Sequence, residues 1–118
     1  MVAKGYSQRP GFDFTETFAP TAKYQAIRTV LALAAVEDLH LRSIDISHAF
    51  INGDLEEEVY MQQPEGFQSG VPGEVLHLNK SLYGLKQAAR QWKIKLASVL
   101  CEQMGFRCIS SDNSIYVF

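Results

Sequence analysis

The sequence predicts an α+β fold in which an antiparallel sheet carries helices on one face. Three observations lead there. Two segments repeat apolar residues at helical spacing, and several short runs alternate apolar with polar residues between turn-forming clusters. The order, helix, strand, turn, strand, strand, long helix, hairpin, sets strands beside their neighbours in the chain. At 118 residues the chain is one domain with room for a modest core.

Thr21 to Asp38 is the first helix, with Tyr24, Ile27, Leu31 and Ala34 at helical spacing, an alanine-rich body and Thr21 as N-cap. Leu41 to Ile46 is a short strand, and the Ala49–Gly53 turn sends the chain back. Glu56 to Gln62 alternates as a strand that Pro64 and Gly66 end, its glutamates blunting an exposed edge. Gln68 to Gly73 is a loop and Glu74 to Leu78 another strand. A long helix follows from Lys86 to Met104, with Ala89, Trp92, Leu96, Val99 and Leu100 as its apolar stripe and Gly105 as its stop. Phe106 to Ile109 and Ile115 to Phe118 form a hairpin whose second arm ends without turn or cap, as though the domain continues.

Composition excludes several classes. A chain 47% hydrophobic and 20% charged is ordinary for a globular protein, and no apolar run reaches the ~20 residues of a membrane span. No secretory or transit signal opens it, so an intracellular location is expected. Cys101 and Cys108 form no disulfide framework or zinc spacing and read as core thiols; His40, His48 and His77 offer no i, i+4 metal pair, and His40 and His77 read as structural. The net charge of −2 conceals a segregation. Asp13 to Glu74 holds most acids against Lys23, Arg28 and Arg42, while Val75 to Cys101 holds Lys80, Lys86, Arg90, Lys93 and Lys95 with no acid. That basic region is either a solvated face or one that meets phosphate.

Asp45 is the residue most suggestive of a reaction centre. Strand alternation sets it on the face opposite Arg42, Ile44 and Ile46, away from isoleucines packed beneath. An acid so placed needs solvent, an ion pair or a metal, unless it simply begins the turn that Asn52-Gly53 completes.

Four segments in order, Val2–Gln8 (VAKGYSQ), Thr17–Pro20 (TFAP), Ile44–Gly53 (IDISHAFING) and Ser81–Trp92 (SLYGLKQAARQW), resemble the reverse transcriptase of Ty1/copia-type long-terminal-repeat retrotransposons. Glu56–Phe67 (EEEVYMQQPEGF) resembles it too, so the likeness covers essentially the whole chain. It implies a partial right-hand polymerase: residues 1–40 fingers-like, 41–118 palm-like, with primer extension by phosphoryl transfer through two magnesium ions. By resemblance Asp45 is the first metal ligand, and the backbone carbonyl of Ile46 helps hold the nucleotide-bound ion. His48, Ala49 and Phe50 line the nucleotide pocket, with Phe50, otherwise a core aromatic, set against the sugar so that a ribose 2′-hydroxyl collides with it.

The same resemblance makes Tyr83 and Gly84 part of a second palm motif behind the incoming nucleotide, with Lys86 and Arg90 toward phosphate and Lys4 toward template or triphosphate. The family more often has Pro where this chain has Ala89; Trp92 is best read as core. Implied partners are an RNA or DNA template-primer, deoxynucleotides and the rest of the Pol polyprotein, with no membrane, in the cytoplasm or a virus-like particle. Met1 corresponds to an internal, apolar position of a longer polyprotein, and the family's basic residues just before Val2 are absent.

The family's other aspartates form an adjacent pair in a later hairpin, and this chain has no Asp-Asp. Asp112–Phe118 resembles the strand before that hairpin. The expectation is therefore a fragment truncated before the pair, inactive alone, partly molten or prone to aggregate. The alternative is a non-catalytic module that binds nucleic acid through Lys80 to Lys95, or another protein of the element.

Overall fold

The computed structural model describes residues 2–118; Met1, and the reading made of it, lie outside the described residues. The fold is α+β, in two compact units. Among the described residues no helix is long and apolar enough to cross a membrane.

The first unit joins residues 2–18 to His48–Lys95. Its hairpin pairs β1 (Asp54–Gln62) with β2 (Val75–Lys80) antiparallel, Val59 opposite Leu78 and Tyr60 opposite His77, with a bulge between Asp54 and Val59. The expected alternation along β1 is present: Leu55, Glu57, Val59 and Met61 turn inward, while Asp54, Glu56, Glu58, Tyr60 and Gln62 are exposed. Glu57 departs from the predicted solvent-facing edge, its carboxylate accepting the backbone N–H (3.2 Å) and hydroxyl (3.1 Å) of Thr15. Val59, Leu85 and Ala88 form the core, and Ala3, Phe50, Leu55, Leu78 and Leu82 pack against it.

The second helix, α2 (Ala88–Ser98), contributes its residues up to Lys95 to this unit. It starts two residues later than predicted: the approach is a pair of tight turns, Leu85 N–H to the Leu82 carbonyl and Ala88 N–H to that of Leu85 (both 3.2 Å), with the Lys86 N–H donating to the side chain of Gln8 (2.8 Å). Its buried face is also shifted from the predicted stripe: Ala88 and Gln91 are buried whereas Ala89 is exposed.

The second unit joins Ala19–Ser47 to Leu96–Phe118. Its helix α1 is shorter than predicted, Tyr24–Val36, and Thr21 does not cap it. Asp112 takes that place: its carboxylate accepts the N–H of Lys23 (2.8 Å), the residue at the helix entry, and the N–H of Ser114 (2.9 Å). The Lys23 ammonium reaches the Ser111 carbonyl (3.1 Å), and the Ser114 hydroxyl donates to that of Pro20 (3.1 Å). At the far end Asp38 takes a left-handed conformation (φ 50°) and Leu39 N–H donates back to Ala34 (2.8 Å).

After Ser98 the chain widens into a π turn over Val99–Gln103, and Gly105 (φ 76°) stops it where expected. Then β3 (Arg107–Ile109) pairs antiparallel with β4 (Asp112–Val117). The strands thus form two separate two-stranded sheets, not the single predicted sheet. The predicted strand 41–46 is absent: the segment is irregular, because no strand lies alongside to complete a ladder. The cysteines are not core thiols either; Cys101 is half-buried and Cys108 exposed.

Candidate functional site

The predicted site residues fall into both units, Asp45 and Ile46 in the second, and His48, Ala49, Phe50, Tyr83 and Gly84 in the first. Asp45 is exposed and has no hydrogen-bond or ion-pair partner among the described residues. The isoleucines expected to pack beneath it do not, Ile44 being 83% and Ile46 42% exposed. Without a neighbouring strand, nothing holds alternate side chains to one face. No group of three or more His, Cys, Asp or Glu among the described residues could hold a metal ion. One isolated carboxylate does not fit a two-magnesium centre.

The residues expected at the nucleotide are better supported. His48, exposed and left-handed (φ 56°), opens a tight 3-10 turn, Ala49–Asn52, and its carbonyl accepts the Ile51 N–H (3.1 Å) and the Asn52 side-chain amide (3.2 Å). The turn delivers the half-buried Phe50 onto the core, where its ring meets that of Tyr83 with centroids 4.9 Å apart, tilted 50°. Edge-tilted geometry at that distance is favourable for two aromatic rings. Tyr83 keeps 37% of its surface open.

Two glycines bring the N-terminal segment against Tyr83. The Ala3 N–H donates to the Tyr83 carbonyl (2.7 Å), a Cβ on Gly5 would strike the Gly84 carbonyl oxygen, and one on Gly84 (φ 95°) would strike the Ala3 carbonyl oxygen. A side-chain amide pair continues the contact. Gln8 donates to Gln87 (3.0 Å), and Gln87, fully buried, donates to the Asp13 carbonyl (3.0 Å). Sequence reasoning missed Gln8, Gln87 and Gln91; the available signal was the set Gln87, Ala88 and Gln91 at helical spacing, polar residues that an apolar stripe passes over.

Few of the cations await phosphate. Arg90 pairs with Glu16 (3.1 Å) and Glu56 (3.5 Å), and Lys80 and Lys95 (3.1 Å) both reach the Asp54 carboxylate. Hydrogen bonds from Lys80, then Lys95, hold the Asp54 carboxyl below its usual pKa. The Lys86 ammonium lies over the Phe14 ring, 5.1 Å from its centroid. Lys4 is exposed and, with Arg9 and Tyr60, lines a groove of about 1130 Å³ between the N-terminal segment and β1.

Residues 1–118 match the family model described as reverse transcriptase (RNA-dependent DNA polymerase). The chain is 50% identical over 117 residues to the retrovirus-related Pol polyprotein from transposon TNT 1-94 of Nicotiana tabacum, covering 98% of this chain and 9% of that protein. It is 46% identical over 118 residues to the Pol polyprotein from transposon RE1 of Arabidopsis thaliana (99% of this chain, 8% of that one). To the transposon Ty1-BL Gag-Pol polyprotein of Saccharomyces cerevisiae it is 35% identical over 116 residues (98% and 6%). The chain therefore spans less than a tenth of these curated relatives. No solved structure matches it.

Proposed function

This chain belongs to the reverse transcriptase (RNA-dependent DNA polymerase) family of Ty1/copia-type transposons, and we propose that within a Pol polyprotein it serves RNA-directed DNA synthesis. The observation that carries the reading is the Phe50 ring, seated on the core and braced by Tyr83 at 4.9 Å. A braced aromatic beside the sugar of an incoming nucleotide rejects a ribose 2′-hydroxyl by contact. In this reading His48 and Ala49 line the same pocket, Gly84 lets the chain pass close by, Lys4 and Lys86 face template or triphosphate, and residues 1–40 and 41–118 are the fingers and palm portions. The ion pairs of Lys80, Arg90 and Lys95 argue against a module that grips nucleic acid through those residues.

Asp45 contributes one carboxylate, and the Ile46 carbonyl stands next to it in the chain. Since this chain's own donors do not fit a two-ion centre, the remaining carboxylates come from another part of the polyprotein, and the chain alone is inactive. A chimera carrying these 118 residues in place of the matching span of the tobacco polyprotein tests the assignment. Asp45→Ala should abolish primer extension on RNA, and Phe50→Val should raise ribonucleotide use by about tenfold or more. Full extension by the Asp45→Ala chimera would sink the reading.

A further inference from the structure

We propose that Gly53 is the positioning residue for the Phe50–Tyr83 pair, an inference that rests on reading the pair as the sugar platform and names what sets its geometry. Gly53 is buried, with φ −73° and ψ 132°, a conformation any residue adopts. Glycine is needed there for space. A Cβ would lie 2.9 Å from the Trp92 backbone nitrogen, 3.0 Å from the Gln91 carbonyl carbon and 3.1 Å from Gln91 Cβ. The first two are backbone atoms of α2, which no change of rotamer can move aside.

The backbone of Gly53 links the parts of the platform. Its N–H donates to the Phe50 carbonyl (3.1 Å), closing the turn, and its carbonyl accepts the N–H of Ser81 (2.9 Å), two residues before Tyr83. One residue without a side chain thus ties the turn bearing Phe50, the segment bearing Tyr83 and the flank of α2. Ser81 and Gln91 beside it are 1% and 3% exposed, yet Ser81 Oγ and Gln91 Nε2 have no hydrogen-bond partner among the described residues. The seam gains little cohesion from its polar side chains; what it provides is close contact. A methyl group at Gly53 must push the turn off α2 and carry Phe50 with it relative to Tyr83.

Ring-to-ring nuclear Overhauser effects between Phe50 and Tyr83 in the 118-residue chain read this without nucleotide. Gly53→Ala should lose or strongly weaken them while the β1–β2 amide pattern persists. Leu76→Ala, a change opposite Met61 at the end of the β1–β2 hairpin far from Gly53, should keep them. Should Gly53→Ala not fold, Gln91→Gly, which removes the one side-chain atom among the three beside the space where a Gly53 Cβ would lie, is expected to broaden the same signals. Undiminished ring contacts in a folded Gly53→Ala chain, or sharp ones in Gln91→Gly, would overturn the proposal.

In the chimera, Gly53→Ala should lower the preference for deoxy- over ribonucleotides by about tenfold, and Leu76→Ala should not. If Phe50→Val leaves that preference intact the platform reading fails, while the ring contacts still decide the role of Gly53.

Discussion

The first unit closes an apolar core around Val59, Leu85 and Ala88, whereas the second, among its described residues, buries Ala34 and Asp112 and leaves Tyr24 (76%), Val36 (81%), Ile44 (83%) and Phe118 (92%) open. One unit is organised by packing and the other by a few hydrogen bonds centred on Asp112. The residues given roles in the proposal inherit this difference. Phe50 packs on the core and its ring meets that of Tyr83, support of the kind that a group proposed to select among nucleotides needs. Asp45 sits on an irregular segment outside any strand, where nothing fixes its direction. The Phe50–Tyr83 pair is fixed by packing; the Asp45 carboxylate is not.

The largest effect expected from the contrast separates two leucines. Leu85→Ala should cost about 2 to 4 kcal/mol in denaturant unfolding followed by circular dichroism, because Leu85 is 8% exposed in the core. Leu31→Ala, at a position 47% exposed on α1, should change stability by no more than about 0.5 kcal/mol. Equal losses would erase the distinction between the units. A smaller effect tests the polar anchor. Asp112→Ala removes the acceptor for the N–H groups of Lys23 and Ser114 and should cost about 1 to 2 kcal/mol, with hydrogen exchange accelerated in the first turn of α1. Unaltered exchange there would show that α1 holds its start without the hairpin.

The smallest effect is a pH dependence. The Asp54 carboxyl is lowered on folding, so its contribution is present above the ordinary carboxylate pKa and is lost as pH falls through the lowered value. Melting temperature should therefore drop on acidification below about pH 4, and Asp54→Asn should flatten part of that limb. Because the Lys80 and Lys95 pairs are exposed, salt should flatten it too.

How much of this was legible in the sequence depends on how local each cause was. The strands β1 and β2 and the Gly105 stop were readable, since alternation and glycine act within a few residues. The start of α1 was not, because its cap comes from Asp112, far along the chain. Leu41 to Ile46 has the pattern of a strand, but a ladder needs a partner that pattern alone cannot supply. The buried face of α2 was misplaced by one residue because hydrophobicity favoured Ala89 and Trp92, whereas Ala88 and Gln91 are the buried pair, Gln91 beside Gly53. For the site, the motifs named Phe50 and Tyr83 separately; their ring contact required the fold.

Our proposal that this chain holds a nucleotide platform and is inactive alone is tested most directly by primer extension on an RNA template with magnesium, deoxynucleotides and the isolated 118-residue chain. The account predicts no incorporation above the protein-free control. Incorporation that disappears in Asp45→Ala would contradict it.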